Sequence, residues 1–302
     1  MMVIPILGLA SCTNEDVING DSDNLRVSTD KIPTRSVITG SEFNKGDRIG
    51  VFAIQSNSAG YTPYTTGSTN IATTYDGTNW SLSSDVHLTQ AYADVYAYYP
   101  YTSGNTSVTK IAVDITPNAT TGQNDYLYGV CSTVNIKNPE ARIPFKFALS
   151  RLTFNVTKNN ENDIDSLVLN SVQIANYNGS DVAITTQGTL NLSTGDITKI
   201  YNWKTITIPV ASKLSSSKTT AVEMLVIPTI VDHNAQLTFT INNQPFTVVV
   251  PSIVWQKGNQ YTYPVKFTKT AKTSGVLTIG NPVITAWNQN TESTLTTTTS
   301  GK

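Results

Sequence analysis

Ala93-Asp-Val-Tyr-Ala-Tyr-Tyr99 is a short apolar run, and runs of this kind recur along the chain with turn signals between them. Upstream lies Ile49-Gly-Val-Phe-Ala-Ile54. Downstream come Ile111-Ala-Val-Asp-Ile115, Ile143-Pro-Phe-Lys-Phe-Ala-Leu149 and Arg151-Leu-Thr-Phe-Asn-Val156. Turns are expected at Lys45-Gly46-Asp47, Tyr75-Asp76-Gly77, Ser103-Gly104-Asn105 and Thr121-Gly122-Gln123. A helix would need longer stretches repeating about every 3.6 residues, so these lengths and spacings predict strands. A second series follows: Ser166 to Ile174, Thr205 to Val210, Val222 to Ile227, Gln236 to Ile241, Phe246 to Val250 and Tyr261 to Phe267. Val172-Gln-Ile174 alternates, whereas Val248-Val-Val250 predicts a strand covered on both faces.

Between the two series, Thr157-Lys-Asn-Asn-Glu-Asn-Asp-Ile-Asp165 is the most polar break in the body and is read as a domain boundary. Strands this closely spaced leave no room for the helical crossovers of parallel βαβ units. The expected class is therefore all-β, two β-sandwiches in tandem. Residues 36–158 form the first and 163–288 the second, and the Thr-rich stretch 289–302 is a flexible tail.

Composition agrees. The chain has 302 residues, and 46 Thr and 28 Asn supply the polarity that its 14% of charged residues does not. Thr favours strands and Asn favours turns. With 20 basic against 21 acidic residues, the net charge of −1 removes the positive field that nucleic-acid binding relies on. No apolar run approaches the length of a membrane-spanning helix.

Few residues carry chemistry. His87, His233, Cys12 and Cys131 are the full complement of their types, so a Cys/His zinc site would need nearly all of them together. Cys131 sits in a strand-like neighbourhood and reads as a buried inert thiol, and the histidines read equally plainly. Asp21 with Asp23, and Asp163 with Asp165, have the alternate spacing of calcium loops but lack the following Gly and distal Glu. No nucleophile elbow, phosphate loop or dinucleotide fingerprint occurs, and neither a cofactor nor a metal is expected. A carboxylate pair converging from distant strands, as glycosidases use, leaves no linear signature, and that alternative stays open.

Residues 1–11 are apolar, of signal-peptide length, and close on small residues. Leu9-Ala10-Ser11-Cys12 looks like a bacterial lipobox, in which Cys12 takes up lipid and becomes the acylated first residue. The absence of Lys or Arg before Val3 departs from that pattern and points to a start further upstream. Thr13-Asn14-Glu15-Asp16 resembles the acidic export tag of Bacteroidetes surface lipoproteins, and reads equally as a solvated tether. One acyl chain holds a protein only marginally, so stable anchoring in the outer membrane implies a multiply acylated Cys12. Residues 12–35 have linker composition with one strand-like patch at 25–32.

Several strands resemble the fimbrillin family of Bacteroidales, the lipoprotein pilins. They are Phe43-Asn-Lys-Gly-Asp-Arg-Ile-Gly-Val-Phe-Ala53, Ala93-Asp-Val-Tyr-Ala-Tyr-Tyr-Pro-Tyr101, Asn124-Asp-Tyr-Leu-Tyr-Gly129, Phe145-Lys-Phe-Ala-Leu-Ser-Arg-Leu-Thr-Phe-Asn-Val156, Lys257-Gly-Asn-Gln-Tyr-Thr-Tyr263 and Ile284-Thr-Ala-Trp287. Phe147-Ala148 departs, since relatives often carry His before the Ala. The resemblance implies two transthyretin-like β-sandwich domains and a pilus subunit or surface adhesin in the fimbrium. It also implies that a trypsin-like, Arg-specific protease removes the first strand and that a strand from another pilin subunit refills the groove. Arg35 is the preferred scissile residue, with Arg26 second. The donor would be 275–287, whose Leu277, Ile279, Val283, Thr285 and Trp287 share one parity. The alternative is that this segment closes its own sandwich.

Two smaller readings complete the set. Tyr96, Tyr98, Tyr99 and Tyr101 are either a glycan platform or packing residues, the second being commoner within a strand. Asp165-Ser166-Leu167 resembles the acceptor motif for O-glycosylation in Bacteroides, with Ser166 as the modified residue. The competing functional reading is a monomeric surface lipoprotein that binds a glycan or a host protein.

Overall fold

The computed structural model describes residues 23–30, 43–120, 122–159, 166–177, 182–202, 204–271 and 274–287. Every regular element among them is a strand. The first are β1 (Arg26–Thr29), β2 (Arg48–Gln55), β3 (Ile71–Tyr75), β4 (Trp80–Leu82), β5 (Ala93–Tyr99), β6 (Ile111–Asp114) and β7 (Leu127–Val134). Next come β8 (Glu140–Ile143), β9 (Lys146–Phe147), β10 (Ser150–Lys158), β11 (Val168–Asn176), β12 (Gln187–Leu190), β13 (Ile197–Ile200) and β14 (Ile206–Lys213). The last are β15 (Thr220–Val226), β16 (Thr229–Val231), β17 (Ala235–Ile241), β18 (Gln244–Val249), β19 (Ile253–Trp255), β20 (Asn259–Ala271), β21 (Ser274–Ile279) and β22 (Val283–Ala286).

The largest sheet has the order β4-β3-β2-β5-β7-β9, antiparallel throughout. Its central strand β2 is buried from Ile49 to Ile54, on both faces, as an uninterrupted apolar run requires. Gly50 pairs with Tyr98, and a Cβ there would lie 2.1 Å from the tyrosine ring. That missing side chain lets Tyr98 lie across β2 and direct its buried hydroxyl at Asn70, Thr102 and Asn105.

The second body is a sandwich. One sheet has the order β15-β10-β20-β21, with β22 also on β20, and the other runs β14-β11-β17-β18. Phe154 of β10 meets Phe239 of β17 edge-on at 5.7 Å, and Phe267 of β20 meets Phe246 of β18 at 4.8 Å. These rings interdigitate between the two inner faces, and the outward residues of β14 are exposed in alternation.

Three features differ from the sequence reading. Strand β10 pairs with β15 and β20, so the polar break at 157–165 falls inside the second sandwich, and the chain crosses over near Leu149 instead. The strands on either side of the break, β10 and β11, belong to the two sheets of one sandwich, a relation that composition cannot tell from a boundary between domains. Val248 and Val249 are only half buried, because β18 is the last strand of its sheet and one flank is open. Two pairs are parallel, β1 with β8 and β10 with β20, the crossovers being made by whole sheets rather than by helices.

The two strand series are also stitched together. From the first, β6 pairs with β12 of the second, which continues to β13. The buried Gln123 donates to the carbonyls of Ile115 and Leu225 at 3.0 and 2.8 Å, and its Oε1 accepts from Leu225 N at 2.7 Å.

Candidate functional site

Leu25-Arg-Val-Ser-Thr29 alternates in the manner of a strand with one wet face: Leu25 and Val27 are 4% and 6% exposed, whereas Arg26 points to solvent. β1 aligns in parallel with β8, Val27 opposite Ala141 and Thr29 opposite Ile143. The ladder is extended by Arg26 N donating to Pro139 O at 2.9 Å and Asp30 N to Ile143 O at 3.4 Å. On its other side, Leu25 N donates to Val86 O at 2.9 Å and Leu88 N to Asp23 O at 2.7 Å. The segment therefore lies between two stretches of backbone and bonds to both. Among the described residues, β8 has no ladder partner other than β1.

Side chains fix the register. Ser28 Oγ donates to Glu140 Oε1 at 2.6 Å, Trp80 Nε1 to Thr29 Oγ1 at 3.2 Å, and Arg142 Nε to Asp30 Oδ1 at 2.5 Å. His87 meets Asp23 at 3.1 Å, both exposed. The exposed ion pairs contribute little, so apolar burial dominates: Leu25 and Val27 together give about 4 kcal/mol. Phe43, the first residue described after Asp30, packs edge-on against Trp80, Tyr99 and Phe145.

At the far end, β21 and β22 both lie antiparallel to β20, one after the other along a single flank. Leu277 and Ile279 are half buried against the core, whereas Val276, Val283 and Ile284 are 55%, 64% and 53% exposed. Of the expected donor set, Thr285 is exposed and Trp287 is 4% exposed. Trp287 stacks on Phe147 at 4.1 Å with an interplanar angle of 6°, and its backbone N–H donates to Gly258 O at 2.7 Å.

Beside that stack lies a buried polar cluster that sequence reasoning missed. The Arg151 guanidinium is 5.7 Å from the Trp287 ring centre and forms an ion pair with Glu223. Asp125 is 3% exposed; its Oδ1 accepts from Tyr126 N at 2.8 Å, and Oδ2 has no hydrogen-bond partner among the described residues. Burial pushes its carboxyl up to about 7, against the opposing pull of the Tyr126 amide and the Arg151 charge. No linear signal marks these residues, since they lie far apart in sequence and come together only through the fold.

The remaining sequence candidates are scattered. Tyr98 is buried, Tyr96 meets Tyr61 edge-on at 5.9 Å, Tyr99 packs on Phe43, and Tyr101 lies under Arg48 at 4.5 Å, so the four rings form no common platform. Cys131 is 1% exposed. Ser166 is exposed, and its carbonyl accepts from Asn242 Nδ2. His233, Asp232 and Ser252 meet on the surface, yet the hydroxyl and the carboxylate both approach Nδ1, at 3.1 and 3.2 Å. A catalytic triad needs them on opposite ring nitrogens. No group of three metal-binding side chains occurs among the described residues. Residues 1–22, with Cys12, and 31–42, with Arg35, lie outside the described residues, as do Asp163, Asp165 and the tail 288–302.

These features define an all-β, sandwich-type protein whose leading strand is held in a slot between segments distant in sequence. The fimbrillin-like family matches residues 34–287, and the chain belongs to it. Solved structures of similar fold include a protein described as a cell adhesion protein from Bacteroides uniformis ATCC 8492, with 19% identity, TM-score 0.63, 87% of this chain and 98% of that one. Another from Bacteroides ovatus ATCC 8483, with the same description, has 17% identity and TM-score 0.63 over 87% and 96% of the two chains. A fimbrial protein from Bacteroides vulgatus ATCC 8482 has 13% identity and TM-score 0.58 over 87% and 99%. No curated protein matches the chain.

Proposed function

We infer that this chain is a pilus subunit at the cell surface, exported as a lipoprotein through Cys12, cut by an Arg-specific protease and polymerised by strand exchange. The observation that carries the reading is β1 with the residue before it: the strand supplies β8's ladder, Leu25 and Val27 are buried, yet only a short segment joins it to the body. Losing it leaves unpaired backbone beside apolar surface, the arrangement that an added strand from another molecule repairs.

Between the two candidate cut sites, Arg35 fits better. Arg26 N is bonded to Pro139 O within the paired strand, and a protease needs an extended, unpaired backbone. A cut at Arg35 would release β1 whole, whereas a cut at Arg26 would leave Val27 and Thr29 behind.

The donor assigned to segment 275–287 is supported by its one-sided attachment to β20 and by the exposure of Val276, Val283 and Ile284. Leu277 and Ile279 repeat the spacing of Leu25 and Val27. Trp287, directly after β22, is buried and must be withdrawn together with the ladder between β22 and β20.

Digesting the purified chain with a trypsin-like protease tests the reading. A new amino terminus at Ser36, followed by a denaturant-resistant ladder of multimers, is expected. A folded product that retains 23–30 and stays monomeric contradicts it.

A further inference from the structure

β2 and β3 are antiparallel neighbours joined by Ser56 to Asn70, where about two to five residues would close the hairpin. The segment is folded back onto β2: Gln55 N donates to Thr62 O, Tyr64 N to Ala53 O and Ala53 N to Ser68 O, each at 2.9 Å. Tyr64 is fixed at its tip, its hydroxyl donating to Ala91 O at 2.8 Å and accepting from Thr89 N at 2.9 Å. Tyr61 holds φ at 53°, a conformation aromatic residues seldom adopt, and its ring meets Tyr96. Long, well-bonded loops on a rigid sheet are where binding residues concentrate.

This loop borders a shallow, open cleft of about 540 Å³ lined by Pro63, Tyr64, Thr65, Thr66, Gly67 and Thr69. No charged side chain lines it, so an anionic ligand would meet no counter-charge. Three threonines each offer one donor and two acceptor sites, and an apolar ligand would strip water from them without return. Peptide addition is disfavoured because the backbone at Ala53, Gln55, Thr62 and Tyr64 is already bonded. A ligand carrying many hydroxyls on a ring with apolar C–H faces satisfies all of these terms, with Pro63 and Tyr64 as stacking partners.

We propose that the Pro63–Thr69 cleft is a binding site for a neutral oligosaccharide, independent of strand exchange. The test is to screen the full chain against an array of neutral oligosaccharides and their sialylated and sulfated counterparts, with saturation-transfer NMR on the hits. A Thr66→Val, Thr69→Val double variant, at two exposed positions, is compared with the parent. Binding of a neutral glycan, weakened about ten-fold or more in the double variant with Tm unchanged, is expected. No bound neutral glycan, a preference for acidic glycans, or undiminished binding by the double variant would overturn it.

Discussion

Consider Leu25→Ala in a chain already cut at Arg35. Among the described residues, the leading segment is then held by its ladder with β8, its backbone bonds to Val86 and Leu88, the side-chain contacts of Asp23, Ser28, Thr29 and Asp30, and the burial of Leu25 and Val27. Leu25 is 4% exposed, and shortening it to Ala loses transfer free energy and leaves a small void. Because the strand is at the periphery and can settle, the lower end of the usual range applies, about 2–3 kcal/mol. That raises the dissociation constant of the segment about 30- to 150-fold. Size-exclusion chromatography with mass spectrometry, following loss of the 12–35 segment after proteolysis, reads the effect directly. Equal retention in parent and variant would refute the reasoning, because Leu25 would then not be a holding contact. Collapse of the cut variant into aggregate before any segment appears would refute it too, because the strand would be part of the core and not a removable piece.

The other predictions concern the far end and the buried polar groups. Trp287→Ala, which removes the ring stacked on Phe147, should lower stability by about 3–5 kcal/mol in urea unfolding, whereas Ile284→Ala at an exposed position should change it by less than about 0.5. Asp125 has a folded-state carboxyl raised to about 7, so the folded chain binds its proton more tightly than the unfolded chain. Stability from this group is therefore present at low pH and lost as pH rises from about 4 to 7, and Asp125→Asn should flatten that slope in denaturant titrations. Gln123→Leu leaves the Leu225 N–H and two carbonyls without their partner and should cost about 2–3 kcal/mol by the same assay.

The strands were largely legible because their burial follows from local pattern. Ile49 to Ile54 and Ala93 to Tyr99 have the length and composition of strands and are β2 and β5. Pairing was not legible, because register depends on which distant backbone is free. Nothing within Arg26–Thr29 says that its neighbour is Glu140–Ile143, in parallel. The same limit misplaced β10, which looks like the close of the first series but belongs with β15 and β20. At the candidate site, the strand-like patch at 25–32 could be read directly. The Asp125–Arg151–Trp287 cluster could not, since it is assembled from three separate parts of the chain.

Amide hydrogen exchange at Glu140–Ile143, followed through three states of the same protein, bears most directly on the role of β1. Exchange should be slow in the uncut chain, fast once the leading segment has left, and slow again in the assembled multimer. Protection that persists at 140–143 after residues 23–30 are gone, with no other molecule bound, would mean that β8 never depended on β1, and the exchange mechanism would fall.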